Sequence, residues 1–386
     1  DMNRAFADNL CRCGTYDRIR RALLLRVGRP EWNPIYEVVD IPPEADEDIQ
    51  IEVPDILRQN PQLDDWIRFN DDGTLTVFTG KVEIGQGLRT ALAQIVAEEL
   101  DVDVDRLHVQ MADTMLTPDE GITAGSRSIE TSGTALRLVS AEIRHILLSL
   151  AFEELEATSE LIVINGIISE VDSHKSISYW DLMADRKRFN QAYDGVGQVK
   201  SISDYHVVGQ AQQRIDLRGK LTGEPVYVHD LEFPDMCHAR VIRPPHYDAR
   251  LKSIDVDAIE AMDGVVQVVR DGSFVAIVAE TEIAAVHALE NASQYLEWEG
   301  NANLPSSMSG VYQRLVDDTT ESGLVDGGAV VTDSVPPIDL PDDAVRTLNA
   351  TYTKPYIMHG SMGPSAAAAL WDGEQMTVWS HTQGAF

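Results

Sequence analysis

Three stretches of this chain carry residue types whose spacing could do chemistry. Cys11 and Cys13 stand one residue apart, a pair of thiolates that supplies half of the ligands a [2Fe-2S] cluster takes. Gly85, Gln86 and Gly87 precede a run in which Leu88, Leu92, Ile95, Val96 and Leu100 recur at helical spacing. Gly125, Ser126, Arg127 and Ser128 lead through Ser132 and Gly133 into a second such run, marked by Leu136, Val139, Ile143, Ile146 and Leu150. Glycine lets backbone approach a ligand closely, and a helix N-terminus favours negative charge, so each loop is a candidate phosphate or pyrophosphate seat. Ser126, Ser128, Thr131 and Ser132 add hydroxyl donors, and Arg127 adds a fixed cation. Two anionic seats in one module suit a ligand with a diphosphate. Neither loop has the Gly-Lys-Ser/Thr ending of a P-loop or the Gly-x-Gly-x-x-Gly of a Rossmann turn. On spacing alone, glycines that merely turn the chain are the commoner reading.

Around these stretches, residues 1–27 hold the cysteine pair and a basic helical stretch, and 28–62 are proline-rich with an acidic run, as in a linker. The module over 63–200 opens on two strand-like runs, Trp66 to Phe69 and Thr74 to Phe78, around a loop of turn formers. Strand, glycine loop and helix then follow, with a further strand at Leu107 to Met111 before the layout repeats. Asn165-Gly166 predicts a tight hairpin. Residues 201–300 mix strand-like runs (Pro225 to His229, Cys237 to Arg243, Val265 to Arg270, Ser273 to Ala279) with a helical run from Ile283 to Leu296, a compact α+β domain. Cys237 reads as a small core residue of its strand. Residues 301–344 read as a second linker, and 345–386 alternate like paired strands. The fold class is α+β.

Composition narrows the function classes. The 386 residues are 44% hydrophobic, enough for two or three cores. A net charge of -32, from 63 acidic against 31 basic residues, repels nucleic acid and anionic membranes and excludes both as partners. With 7 lysines beside 24 arginines, the surface also matches a salt-in halophile's. No apolar run approaches the roughly 18 residues of a membrane span, the opening residues lack a secretory layout, and three cysteines make no disulfide framework. These features point to a soluble, cytoplasmic protein in a reducing compartment whose true start is missing.

The motifs resemble those of one family. Asn9 to Tyr16 around the cysteines, followed by Arg18-Ile19-Arg20, is similar to the end of the iron-sulfur small-subunit domain of the molybdenum hydroxylases. Thr79 to Gly87 with Ala97-Glu98-Glu99-Leu100 resembles their glycine-glutamine-glycine segment, and Thr117 to Gly133 resembles the second cofactor loop of their isoquinoline oxidoreductase branch. Arg214-Ile215-Asp216, Gly219 to Gly223 and Arg243-Pro244-Pro245 resemble the hammerhead domain. Thr353 to Ser365 and Val378 to Phe386 resemble the opening of the molybdenum-binding domain.

The resemblance implies a large-subunit architecture with a hammerhead-type α/β domain, and a cofactor-binding set of Gly85, Gln86, Gly87, Gly125, Ser126, Arg127, Ser128, Ser132, Gly133, Gly384 and Phe386. It implies molybdopterin, as its cytosine dinucleotide, with molybdenum, and Gln383 as the catalytic donor to an oxygen on the metal. Cys11 and Cys13 become ligands of a [2Fe-2S] cluster whose other pair is not in this sequence. His359 and His381 read as structural or pocket-wall residues. The implied reaction puts a water-derived oxygen into an aldehyde or a C–H bond beside a ring nitrogen, and passes two electrons through an iron-sulfur subunit to an acceptor protein. No glutamate here matches the family's general base, so this piece alone reads as inactive. The alternative is a non-catalytic module that holds the cofactor.

Overall fold

A computed structural model describes residues 51–184, 189–300, 305, 307–318, 324–326, 329–332, 345–357, 360 and 363–386. Cys11, Cys13 and His359 lie outside the described residues. The described residues form two compact units, one within 51–230 together with 366–386 and one within 231–365.

The first unit is built on a three-stranded sheet in the order β1 (Ile67–Phe69), β2 (Leu75–Thr79), β3 (Leu107–Met111). β1 pairs antiparallel with β2 through the predicted hairpin, and β2 pairs parallel with β3 in the register Leu75 to Leu107 through Thr79 to Met111. A parallel pair needs a crossover, and helix α1 (Leu88–Leu100) supplies it. Leu88, Leu92, Val96 and Leu100 line its buried stripe, the i, i+4 spacing that drives the helix onto the sheet. A π-helical turn, Ile129–Gly133, runs into α2 (Thr134–Glu154). Leu136, Val139, Ile143 and Leu147 are buried in the same core as the α1 stripe, along with Trp66, Val77 and Leu57. Gly133 sits where α1 and α2 cross, because a Cβ there would meet Ile95 Cδ1 at 3.0 Å.

Strands β4 (Leu161–Ile164), β5 (Ile167–Glu170) and β6 (Ser176–Ser178) form a second antiparallel sheet. Its first turn is Asn165-Gly166, with φ of 48° and 75°, as a two-residue hairpin demands. Helix α3 (Tyr179–Met183) follows, with a capping box between Ser178 and Asp181. A segment from Asp194 to Val208 is then clasped by buried carboxylates of the long helices. Glu98 Oε2 accepts the N–H groups of His206, Val207 and Val208 at 2.9, 2.6 and 2.9 Å, Glu99 accepts Lys200 N, and Glu142 accepts Gly197 N. Helix α4 (Leu217–Thr222) comes next.

The second unit holds a sheet in the order β7 (His238–Ile242), β10 (Phe274–Ala279), β9 (Val265–Asp271), and a ribbon of β8 (Arg250–Ile254) with β11 (Leu296–Glu299). Helices α5 (Val256–Glu260) and α6 (Glu282–Ala292) contribute Ile259, Ala288 and Ala292 to a core with Val275 and Ile277. Helix α7 (Met308–Asp317) and a hairpin of β12 (Leu324–Asp326) and β13 (Ala329–Thr332) lie where the sequence reads as linker. The chain then returns to the first unit with the hairpin β14 (Ala367–Trp371) and β15 (Met376–Ser380).

Three local expectations are corrected. Pro225 to His229 is not a strand, because Asp230 Oδ2 draws in the N–H groups of Val226 and Tyr227 and makes a turn. The helix expected to reach Leu296 ends at Ala292, since Leu296 to Glu299 pair with β8. Cys237 lies one residue before β7 and is exposed, so it is no core residue.

Candidate functional site

Strand β2 ends on Thr79 and delivers Gly80 into a gap with no room for a side chain. A Cβ there would lie 2.3 Å from Pro118 O and 3.1 Å from the Phe386 ring. Beside this gap Glu120, 5% exposed, accepts Thr79 Oγ1 at 2.5 Å and Gly80 N at 2.8 Å on one oxygen, Oε1. Among the described residues its second oxygen, Oε2, and the fully buried Ser132 hydroxyl have no hydrogen-bond partner of good geometry. Burial pushes the Glu120 carboxyl above the usual glutamate range, against the pull of the nearby Ser132 and Thr79 hydroxyls. Lys81 Nζ, also buried, bonds Glu120 O at 2.5 Å and Ile122 O at 3.2 Å. Burial holds its amine below the ordinary lysine range, and Glu120 opposes that shift.

The Lys81 bonds curve the second loop back over β2. Val82 N then donates to Thr123 Oγ1 at 2.9 Å. Thr123 in turn joins the C-terminal segment: its N–H donates to Gln383 O at 2.7 Å, and Gln383 Nε2 donates to Thr123 O at 2.9 Å. Gln383, Gly384 and Phe386 are thereby brought to the two loops. Gly384 faces Ile122 with space for a Cβ at 3.6 Å, so packing does not require glycine there. His381 Nδ1 contacts Ala366 O at 2.9 Å, within its own hairpin.

The first loop is closed on itself. Glu83, with a side chain 6% exposed, accepts Gly85 N at 2.8 Å and Gly87 N at 3.0 Å on Oε1, and Arg89 N at 3.0 Å on Oε2. Gln86 folds back as well, accepting Ile84 N at 2.6 Å and donating to Val82 O at 2.9 Å. Arg214, far along the chain, donates to Gly85 O at 2.8 Å and lies 3.5 Å from Glu83 Oε1. Asp216 braces that guanidinium at 2.9 and 2.7 Å and is itself bonded by Lys220 at 2.6 Å. The Arg214 and Lys220 bonds hold the Asp216 carboxyl far below its usual range.

The second loop is open. Gly125 and Ser126 adopt φ of 69° and 60°, and Gly125, Ser126 and Arg127 are exposed. The N–H groups of Gly125, Ser126 and Ser128 bond nothing among the described residues. Arg127, its side chain 67% exposed, stands 3.9 Å from Glu130. Among the described residues no group of three or more His, Cys, Asp or Glu is placed to hold a metal ion.

Residues 50–219 match the family model of the molybdopterin cofactor-binding domain, and residues 222–274 match that of the aldehyde oxidase and xanthine dehydrogenase a/b hammerhead domain. The chain belongs to the molybdenum hydroxylases. It is 34% identical over 332 residues to a subunit of nicotinate dehydrogenase from Pseudomonas putida, covering 82% of this chain and 27% of that one. It is 26% identical over 344 residues to the beta subunit of isoquinoline 1-oxidoreductase from Brevundimonas diminuta, covering 79% and 43%. The quinoline 2-oxidoreductase structure from Pseudomonas putida 86 matches 33% of this chain and 17% of its own at 25% identity, with a TM-score of 0.28. This chain therefore spans less than half the length of these relatives.

A molybdenum hydroxylase must seat a large anionic cofactor, and the two loops differ in whether their donors fit one. The second loop fits: among the described residues it offers unbonded N–H groups at the start of a helical run, and a cation. The first loop's donors are already matched to a carboxylate. Glu83, Glu120, Lys81 and Thr123 are not among the site residues that the sequence singles out. The available signal is charge beside glycine at the end of a predicted strand, where a charged side chain either meets a ligand or bonds the loop itself.

Proposed function

We propose that this chain is the cofactor-holding part of a molybdenum-dependent oxidoreductase subunit that hydroxylates N-heterocycles or aldehydes with water-derived oxygen. Nicotinate and isoquinoline, named in two relatives, are nitrogen heterocycles, which supports that substrate class. The observation that carries the reading is the open second loop with Gln383 fastened to Thr123 at its base. Gly125, Ser126, Arg127 and Ser128 would grip the diphosphate of a cytosine dinucleotide cofactor, with Ser132 and Gly133 behind them. Gly85, Gln86, Gly87, Gly384 and Phe386 would shape the wall around its uncharged part. Bound there, the cofactor supplies two-electron oxygen-transfer chemistry through its molybdenum. Gln383 keeps one amide N–H on Thr123 and turns the other to the group undergoing reaction, where a donor aimed at developing charge acts chiefly in the transition state.

An iron-sulfur partner, to which Cys11 and Cys13 would contribute ligands, would take the electrons on to an acceptor protein. The cytoplasm is the proposed compartment; no helix among the described residues is long and apolar enough to cross a membrane. We also read the acidic surface as a halophilic adaptation, which a melting temperature flat across a KCl series would refute.

The test compares Gly125→Val and Gln383→Ala in the full-length protein, by molybdenum content and by rate on an N-heterocycle. Gly125→Val should empty the site, whereas Gln383→Ala should retain the metal and lose on the order of 10²-fold in rate. Loss of metal with full rate per remaining molybdenum in Gln383→Ala would refute the role given to this glutamine.

A further inference from the structure

The loop between β2 and α1 presents three N–H groups at a helix N-terminus, the arrangement that ordinarily seats a phosphate. In this chain Gly85, Gly87 and Arg89 all direct those groups onto one buried carboxylate two residues before the first glycine. Arg214 then closes over the assembly, bonding Gly85 O and neighbouring Glu83, with Asp216 and Lys220 behind it. A phosphate entering this seat would have to displace a carboxylate that makes three charge-assisted hydrogen bonds.

We propose that Glu83 is the resident anion of the α1 N-terminus and Arg214 the residue that keeps it there, so the first glycine loop is a positioning element that never binds phosphate. This rests on the cofactor-holding reading and sharpens it: every phosphate contact made by loop N–H groups falls to Gly125, Ser126 and Ser128. Arg214 acts through Glu83 and Gly85 O and needs no contact with the ligand. The Gln86 amide, which staples Val82 O and Ile84 N, fixes the same loop from its other side.

The test uses the full chain, labelled with nitrogen-15, and titrates inorganic pyrophosphate at constant ionic strength while backbone amide resonances are followed. In the wild type the resonances of Gly125, Ser126 and Ser128 should move and those of Gly85, Gly87 and Arg89 should not. In Glu83→Ala the three vacated donors should become responsive to pyrophosphate. Should that variant fail to fold, Glu83→Gln keeps an acceptor of the same shape without the charge, and a first-loop response there is expected at higher pyrophosphate. Movement of Gly85, Gly87 and Arg89 in the wild type overturns the proposal, and so does a folded Glu83→Ala whose first loop stays silent. Silence at Gly125, Ser126 and Ser128 throughout would instead count against the cofactor-holding reading. The Glu83 assignment would still be decided by the first loop alone.

Discussion

The two glycine loops follow neighbouring parallel strands, precede the two long helices of the same core and look alike in sequence, yet they have opposite electrostatic character. Two residues before Gly85 stands Glu83, whose carboxylate gathers the loop's donors inward. Two residues before Gly125 stands Thr123, which is engaged elsewhere by Val82 N and Gln383 and leaves the donors of its own loop facing solvent. Glycine spacing thus sets how closely a backbone can be approached, while a single neighbouring side chain decides whether anything is left to approach.

The largest effect should come from closing the gap between the loops. Gly80→Ala would put a methyl 2.3 Å from Pro118 O, and neither atom belongs to a flexible side chain. A loss of about 3 kcal/mol is expected, at the upper end for overpacking, and it should lower the melting temperature by several degrees; an unchanged melting temperature would mean the two loops are not held at a fixed distance.

Next in size is Arg214→Met, which removes the bond to Gly85 O and the neighbour of Glu83. Because this side chain is 29% exposed, solvent screening limits the loss to about 1 kcal/mol. Amide exchange should quicken at Gly85, Gly87 and Arg89 and stay as it was at Gly125 to Ser128. Equal acceleration in both loops would erase the distinction between them.

The smallest effect is a pH dependence. Glu120 holds its proton more tightly folded than unfolded, so the native state loses stability as pH rises above the ordinary glutamate range. Glu120→Gln has no proton to lose, and the difference in melting temperature should move in its favour as pH rises. Glu170 behaves in the opposite sense. The Ser173 hydroxyl and the Thr158 and Ser159 N–H groups hold its carboxyl down to about 2. Its contribution is present above the ordinary glutamate value and is lost as pH falls toward about 2. Melting curves of wild type, Glu120→Gln and Glu170→Gln across that range check both signs, and parallel curves for all three would refute the assignments.

Much of the first unit is legible in the sequence because its signals are local. The 3.6-residue recurrence of Leu88, Leu92, Val96 and Leu100 and the Asn165-Gly166 turn each describe an element that forms largely from its own residues. β8 escapes such a reading because Arg250 to Ile254 carry charge and hydroxyl groups, and its partner β11 begins 42 residues further on, at Leu296. Pro225 to His229 misleads because Val226, Tyr227 and Val228 favour strands, and only the capture of N–H groups by Asp230 decides otherwise. At the site, the glycines are visible in the sequence but their occupancy is not. Glu83 meets Arg214 131 residues further on, and Thr123 accepts Val82 N on its hydroxyl and pairs its backbone with Gln383, 260 residues further on.

The bond between Thr123 and Gln383 also orders events during translation. The described residues of 231–365 form a separate compact unit, and the ribosome delivers α1, α2 and both glycine loops long before the segment after β15 that braces the second of them. Loop closure costs only about 0.6 kcal/mol for each doubling of length, so even this large an intervening unit adds little to the cost of the contact. Its effect is on timing: the nascent chain presents a second loop unbraced by Gln383 until the segment that follows β15 has been synthesised and has docked.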